Sequence, residues 1–319
     1  MKTRRKKTVL IFGGGGFIGY HLLENLLPDY KIRVFDKKNF SRKNLQAFGK
    51  HIEIEEGDFC NINDYKHILK DVDYVIHLIC STLPSSSNNN CAYDIESNVI
   101  STLRFLNYFK KSSKGKIIFF SSGGTIYGNA KHFPIKEQYQ NNPLCSYGIT
   151  KLMIEKYLYL YRHLYGIDYY VVRLSNPFGE RQNWNNNQGV ITTFLHKIVT
   201  GQPIEIWGQG NIIRDYIYIG DAVACISELL KYHGPHRVFN VSSGKGYSIN
   251  QILKKIKKIT QKEPRVIYKG QRIFDIKKNI LDNTLVKNEL KWHPETTLEE
   301  GIKKTYNWIK SVEKAKEKL

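Results

Sequence analysis

An apolar run, Thr8-Val-Leu-Ile-Phe12, breaks off into Gly13-Gly-Gly-Gly-Phe-Ile-Gly19. This junction restricts the fold more than any other segment. A β-rich run that ends in glycines and opens into helical apolar spacing predicts strand, tight turn and helix. Gly13, Gly16 and Gly19 give the spacing G-x-x-G-x-x-G. Glycines there allow the turn, the approach of backbone to a pyrophosphate, and close packing of helix on strand. The unpaired N–H groups of the helix N-terminus then face the phosphates. Asp36 follows at the end of the next β-rich run, 17 residues after Gly19. An acid at that point accepts the adenosine ribose hydroxyls and repels a 2′-phosphate, which predicts NAD. Lys37, Lys38, Arg42 and Lys43 come next and leave NADP open.

Six β-rich runs precede residue 175: Thr8–Phe12, Lys31–Phe35, Ile52–Glu56, Tyr74–Leu78, Lys116–Ser121 and Tyr169–Leu174. Stretches with helical apolar spacing separate several of them, which predicts a parallel sheet covered on both faces. Ser85–Asn90 and Asn185–Asn187 read as loops. After Ser175 the pattern shifts. Helices are expected near Ile191–Thr200, Ala222–Lys231, Asn250–Thr260 and Leu298–Lys318, and strands near Ile204–Trp207, Ile212–Ile219 and Arg237–Val241. The expected fold is α/β: a dinucleotide-binding domain over 1–175, rejoined by 217–244, and a smaller mixed lobe from 176–216 and 245–319.

Charge raises a different possibility. The 319 residues carry 49 Lys and Arg against 29 Asp and Glu, a net of +20. That balance points first to nucleic acid or an acidic membrane surface. However, +15 of it lies in residues 1–7 and 245–319, and Lys outnumbers Arg by 37 to 12. Base and phosphate readout favours Arg forks. A non-catalytic protein binding RNA or a partner through basic ends is therefore the weaker alternative, and no nucleic-acid partner is expected. Five widely spaced cysteines, Cys60, Cys80, Cys91, Cys145 and Cys225, form no CxxC. They indicate a reducing compartment with neither zinc nor disulfides. Residues 1–12 have the outline of a secretion signal, but the apolar run ends at glycines rather than a cleavage pattern. No 18-residue apolar stretch occurs, so no stable membrane insertion is expected and the location should be cytoplasmic.

Two further segments carry chemistry. Tyr147-Gly-Ile-Thr-Lys151 opens a helical pattern, which sets Tyr147 and Lys151 on one face at i and i+4. An ammonium beside a phenol stabilises phenolate, so Tyr147 can exchange a proton near neutral pH. Ser121-Ser-Gly-Gly-Thr-Ile-Tyr-Gly128 follows an apolar strand and brings hydroxyls to the carboxyl end of a sheet.

Together with Gly57-Asp58-Phe59, His77-Leu78, Asn98 and Arg214-Asp-Tyr-Ile, these motifs resemble the extended short-chain dehydrogenases/reductases. Within that family the chain is most similar to the nucleotide-sugar epimerases of the UDP-glucose (UDP-galactose) 4-epimerase kind. The resemblance runs from Thr8 to about Trp308. It implies a Rossmann-type doubly wound sheet, bound NAD, a UDP-sugar or related nucleotide sugar as substrate, and a homodimer. The dimer would form through helices near Ile95–Phe109 and Tyr147–Tyr165, with Tyr157, Tyr159 and Tyr161 available.

The same resemblance assigns residues. Gly13, Gly16, Phe17, Ile18 and Gly19 form the pyrophosphate loop. Asp58 and Phe59 meet adenine. Leu78, Ile79 and Cys80 line the cofactor, Asn98 lies near the active site, and Tyr147 and Lys151 are the catalytic pair. Ser175 lies at the nicotinamide and Asn176 beside the sugar diphosphate. Arg214, and Arg272 with Asp275, grip the nucleotide, while Trp207 lies against its base. One position departs from the pattern. The usual catalytic Ser or Thr is replaced by Gly123, so the hydroxyl is expected from Thr125, with Ser122 second. The acidic residues that mark dehydratases and decarboxylases are missing from this segment. The expected reaction is C4 inversion through a 4-keto sugar, with a dehydratase or reductase as the alternative.

Overall fold

The computed structural model describes residues 5–38, 43–113, 115–185, 189–270 and 276–317. Strand β1 (Thr8–Phe12) is buried along its whole length, as a strand covered on both faces must be. It leads into α1 (Phe17–Leu26), whose buried face holds Gly19, Leu22, Leu23 and Leu26. β2 (Lys31–Asp36), a short helix α2 (Lys43–Gln46), β3 (Ile52–Glu56) and β4 (Tyr74–His77) follow. Next comes a continuous helical segment: α3 (Cys91–Asp94), a π-helical stretch (Ile95–Ile100) and α4 (Ser101–Ser112). β5 (Lys116–Ser122), α5 (Ser146–Tyr165) and β6 (Tyr169–Leu174) complete the first half. α5 ends at Gly166 in the left-handed region (φ 70°), a stop that glycine tolerates without strain.

The remaining elements are β7 (Asn176–Phe178), α6 (Val190–Val199), β8 (Ile204–Trp207), β9 (Ile213–Tyr218), α7 (Ile219–Lys231), β10 (Val238–Val241), β11 (Gly246–Ser248), α8 (Ile249–Thr260), β12 (Val266–Lys269), α9 (Thr284–Leu290) and α10 (Leu298–Lys316). The seven-stranded sheet has the order β10-β6-β5-β4-β1-β2-β3. The pairs β1–β2, β2–β3, β1–β4 and β4–β5 are parallel. The order reverses at β1, between β2 and β4. That is the switch point beside which open α/β sheets bind ligands, at the carboxyl ends of their strands. The expected α/β fold with a smaller mixed lobe is the one observed.

The chain separates into two units. The first contains residues 1–126, 141–173 and 227–239, and the second 127–140, 174–226 and 240–319. Residues 127–140, 174–175, 217–226 and 240–244, read from the sequence with the dinucleotide-binding domain, belong to the second. Aromatic rings fill much of the first unit's core. Phe12 lies edge-on to Phe35, Phe59, Tyr65 and Phe105 at centroid separations of 5.1–5.7 Å. The second unit packs apolar faces of α6, α8 and α10 around Ile191, Leu195, Ile252, Ile256 and Ile302. It also holds a three-stranded sheet, β11-β9-β7, and a two-stranded one, β12-β8.

The basic N-terminal residues are engaged with their own chain. Arg5 donates to Asp71 O, Lys6 to Pro28 O and Lys7 to the Tyr74 hydroxyl. Among the described residues no helix is long and apolar enough to cross a membrane. None of them form a cluster fit to hold a metal ion, and all five cysteines are free.

Candidate active site and nucleotide cavity

Each glycine of the first loop has its own constraint. Gly13 has φ +84°, and a Cβ on it would sit 3.3 Å from the Ile79 backbone nitrogen. A Cβ on Gly14 would come within 2.7 Å of Val34, and one on Gly19 would overlap the Gly14 carbonyl. Gly16 caps α1 without a side-chain hydrogen bond, which leaves the first helical N–H groups for an anion. Phe17 and Ile18 are half-buried in the first turn.

At the end of β2, Asp36 Oδ2 accepts from Gly15 N (2.9 Å) and Oδ1 from Lys37 N (2.8 Å). The carboxylate is thus fixed against the glycine loop. Each oxygen retains capacity to accept from a ribose hydroxyl. Burial pushes its carboxyl above the usual range, against the pull of those two N–H donors. The loop and the acid fit the adenosine diphosphate half of a dinucleotide. Of the nearby cations, Arg42 lies outside the described residues.

Asp58 is exposed, and its Oδ1 accepts from Cys60 N (2.9 Å). The Phe59 ring is 6% exposed and stacks on Tyr65, so what this residue can offer a ligand is mainly its backbone. Leu78, Ile79 and Cys80 are half-buried beyond β4. Asn98 lies in the π-helical stretch, with its Oδ1 accepting from Ser81 N (2.9 Å) and its Nδ2 donating to Asp94 O (3.0 Å) and Asp94 Oδ1 (2.9 Å). It therefore clamps the loop after β4 to the helix. His77 is neutral. Burial and the Lys151 charge push it down to about 3. Thr102 gives its proton to Asn98 O (2.6 Å), so the 3.1 Å contact with His77 requires the Nε2–H tautomer.

Tyr147 stands in the first turn of α5. The residue is half-buried, and burial pushes the phenol above its ordinary value, with Cys80, Cys145 and Asp94 acting the same way. The Ser122 hydroxyl acts in the opposite direction. Lys151 is 4% exposed and donates from Nζ to Phe120 O (2.9 Å), with that nitrogen 5.6 Å from the Tyr147 ring centroid. Burial of the phenol thus acts against the acidifying effect expected of the neighbouring ammonium.

The backbone bears on the two candidate hydroxyls as well. β5 extends to Ser122, and the chain then turns, with Thr125 N and Ile126 N both donating to Ser122 O. Strand alternation does not persist to Thr125. The Thr125 hydroxyl is buried without a hydrogen-bond partner among the described residues, while the Ser122 hydroxyl acts on the Tyr147 phenol.

Sequence reasoning missed a buried set behind this pair. Glu155, one turn beyond Lys151, accepts from Arg173 Nη2 (2.7 Å) and from Ser121 Oγ (2.5 Å). Asp94 accepts from Ser146 Oγ (2.6 Å) in the turn that carries Tyr147. Only the i, i+4 spacings Lys151–Glu155 and Asp94–Asn98 hinted at these roles.

The second unit has its own cavity, of about 320 Å³. Asn176, Trp207 and Arg214, three of the residues expected at the substrate, line it together with Lys197, Glu205 and Tyr216, which the sequence did not single out. Asn176 Nδ2 donates to Asp215 O (2.9 Å), and Arg214 Nη1 donates to Ile276 O (2.5 Å). Trp207 is 41% exposed. Ser175 has a buried hydroxyl with no hydrogen-bond partner among the described residues. Arg272 and Asp275 lie outside the described residues.

Known proteins share this fold. A UDP-glucose 4-epimerase of Thermotoga maritima, solved with UDP-glucose, superposes with a TM-score of 0.89 at 34% identity, over 96% of this chain and 99% of that one. A UDP-N-acetylglucosamine 4-epimerase from Methanobrevibacter ruminantium gives 0.91 at 29% identity, over 97% and 100%. The dTDP-4-dehydro-6-deoxyglucose reductase of Escherichia coli is 33% identical over 317 residues, 97% of this chain and 98% of that protein. The sequence profile of the NAD dependent epimerase/dehydratase family matches residues 9–242. With its glycine loop, Asp36 and the Tyr147–Lys151 helix, the chain belongs to that NAD-dependent family of nucleotide-sugar enzymes.

Proposed function

We propose that the protein inverts C4 of a UDP-hexose through a transient 4-keto sugar. The observation that carries this reading is the Tyr147–Lys151 pair, one helical turn apart on α5, with the Lys151 nitrogen 5.6 Å from the Tyr147 ring centroid and the Ser122 hydroxyl acting on the phenol. Hydroxyl oxidation needs a group that takes up a proton as hydride leaves, and a phenolate does so. What NAD supplies when bound is a hydride acceptor and donor for C4. Tyr147 removes the 4-hydroxyl proton and returns it to the inverted centre, and Ser122 relays between phenol and sugar. Thr125, first choice from the sequence, becomes the second candidate. Lys151 orients the ribose of the cofactor.

In the second unit, Arg214 and Lys197 supply positive charge for the diphosphate, and Trp207 offers a face for the base. Firm binding of the nucleotide with loose binding of the sugar suits a ketone that must present both faces. The protein is proposed to act as a homodimer. Ile149, Tyr159, Leu160, Leu164 and Tyr165 leave apolar surface exposed on α5. Tyr161 is buried with its hydroxyl on Asn107, and Tyr157 packs against the core, so of the three tyrosines expected there only Tyr159 is exposed.

The experiment is incubation with a panel of UDP-sugars and NMR detection of C4-inverted products. Turnover without net redox supports the reading. The likeness to the E. coli reductase favours one alternative, a 4-keto sugar reductase. Stoichiometric consumption of reduced cofactor with a dTDP-4-keto sugar, and no inversion of any UDP-sugar, would replace the first reading by the second.

A further inference from the structure

Asp94 has no solvent exposure, and among the described residues no Lys or Arg pairs with it. Its carboxylate takes hydrogen bonds from three separate parts of the chain. On Oδ1 it accepts from Thr82 Oγ1 (2.5 Å), in the loop after β4, and from Asn98 Nδ2 (2.9 Å), in the π-helical stretch. On Oδ2 it accepts from Ser146 Oγ (2.6 Å) and, more weakly, from Thr150 Oγ1 (3.4 Å). Ser146 and Thr150 bracket Tyr147 in the first turn of α5. The Ser146 N–H is held as well, by Asn88 Oδ1 at 2.8 Å.

Burying a carboxylate without a cation is costly unless its oxygens are hydrogen-bonded. Here the bonds from Thr82 and from Ser146 and Thr150 tie the turn carrying Tyr147 to the loop that follows β4, and the bond from Asn98 steadies the carboxylate within its own helical segment. A core plug would need none of this, since apolar residues of the same shape would pack as well. We propose that Asp94 is a positioning residue that locks the first turn of α5, and with it the Tyr147 phenol, against the loop after β4.

The charge has a second effect. The titratable groups around the phenol are Cys80 beyond β4, Cys145 before α5, Asp94 on α3 and Lys151 on α5. Asp94 opposes phenolate formation there, as do the two thiols. Asparagine separates the two effects. Its amide oxygen can accept from Thr82 and Asn98, and its NH₂ can donate to the hydroxyls of Ser146 and Thr150, which accept as readily as they donate. Geometry is kept and charge is lost.

The assignment rests on Tyr147 as the acid–base group, so one readout must not need a substrate. The phenol of the NAD-containing protein is titrated by ultraviolet difference spectroscopy, referenced to Tyr147→Phe. Turnover on UDP-sugars is measured beside it. Asp94→Asn should titrate at lower pH than wild type, with turnover retained and the acidic limb of its pH profile moved the same way. Asp94→Ala should lose turnover about 100-fold, the scale of a misplaced catalytic group, with NAD affinity within a few-fold of wild type. If Asp94→Ala does not fold, Ser146→Ala carries the same test with a smaller loss. An unmoved titration in Asp94→Asn, or full turnover in Asp94→Ala or Ser146→Ala, overturns the proposal. If no UDP-sugar turns over, the functional reading fails, and the titration still decides the role of Asp94.

Discussion

Glu155 and Arg173 form an ion pair 2.7 Å long, with both side chains 5% exposed, between α5 and β6. Ser121 on β5 donates to the same carboxylate. One buried acid thus joins three elements one turn beyond Lys151. Removing one partner of such a pair leaves an uncompensated buried charge, at about 3–5 kcal/mol. Glu155→Gln should lower the unfolding free energy, read from urea denaturation, by an amount of that order, while Glu155→Gln with Arg173→Met should recover part of it. A double variant no more stable than the single would show that the pair is not the coupled unit described.

Tyr147→Phe keeps the ring and removes the exchangeable proton. Loss of a positioned acid–base group should lower turnover by about 10²–10⁴-fold, with NAD retained. Ser122→Ala should slow turnover more than Thr125→Val, because the Ser122 hydroxyl acts on the phenol and the Thr125 hydroxyl is buried without a hydrogen-bond partner among the described residues. The opposite ranking, measured as kcat under saturating sugar nucleotide, would return the relay to Thr125.

Why the sequence favoured Thr125 is a matter of backbone geometry. Alternation along KIIFFSS is plain in the residue pattern, but the point where a strand gives way to a turn depends on where Gly123 and Gly124 let the chain fold back. Strands such as Thr8–Phe12 and Tyr169–Leu174 were legible to the residue because two-sided burial demands apolar runs, and the edge strand Ile52–Glu56 because its isoleucines alternate with glutamates. The π-helical stretch was not, since its apolar spacing over so few residues matches that of an α-helix. The short strands β7, β11 and β12 have three or four residues each, too few for a period. Lys151 was placed correctly on the face of Tyr147. Its bond to Phe120 O depends on a partner from another element, which spacing within one helix cannot reveal. Asp94 was passed over for the same reason, since three of its four donors come from distant parts of the chain.

Asp36 is positioned by two backbone N–H groups and faces the glycine loop. Asp36→Asn keeps the shape and removes the charge that ribose hydroxyls would meet. A hydrogen bond to a charged group contributes about 1.5–3 kcal/mol, so NAD should bind roughly 10–100-fold more weakly by calorimetry, with discrimination against NADP reduced. Unchanged affinity for both dinucleotides would remove Asp36 from the cofactor site.

Asp215 makes a prediction about pH. Its carboxylate has no exposure, and accepts from Ser243 N (3.0 Å) and Ser243 Oγ (2.8 Å) on one oxygen, and from Gly244 N (3.1 Å) and Leu281 N (3.3 Å) on the other. These donors favour the ionised form, but desolvation outweighs them and the carboxyl is pushed up to about 6. An acid whose folded pKa lies above its unfolded value of 3.8 binds more protons folded than unfolded between those limits. Its contribution is therefore fully present below about pH 4 and is lost as pH rises through about 6. The size is on the order of 3 kcal/mol. Asp215→Asn removes the titration, and turns an NH₂ toward at least one backbone N–H whichever way the amide lies, that of Ser243 or those of Gly244 and Leu281. The variant should be less stable than wild type throughout, and the gap, read from urea midpoints, should narrow as pH rises from 4 to 6.5. A gap that stays constant or widens over that interval would mean that Asp215 is ionised throughout and that its four donors, not burial, set its acidity.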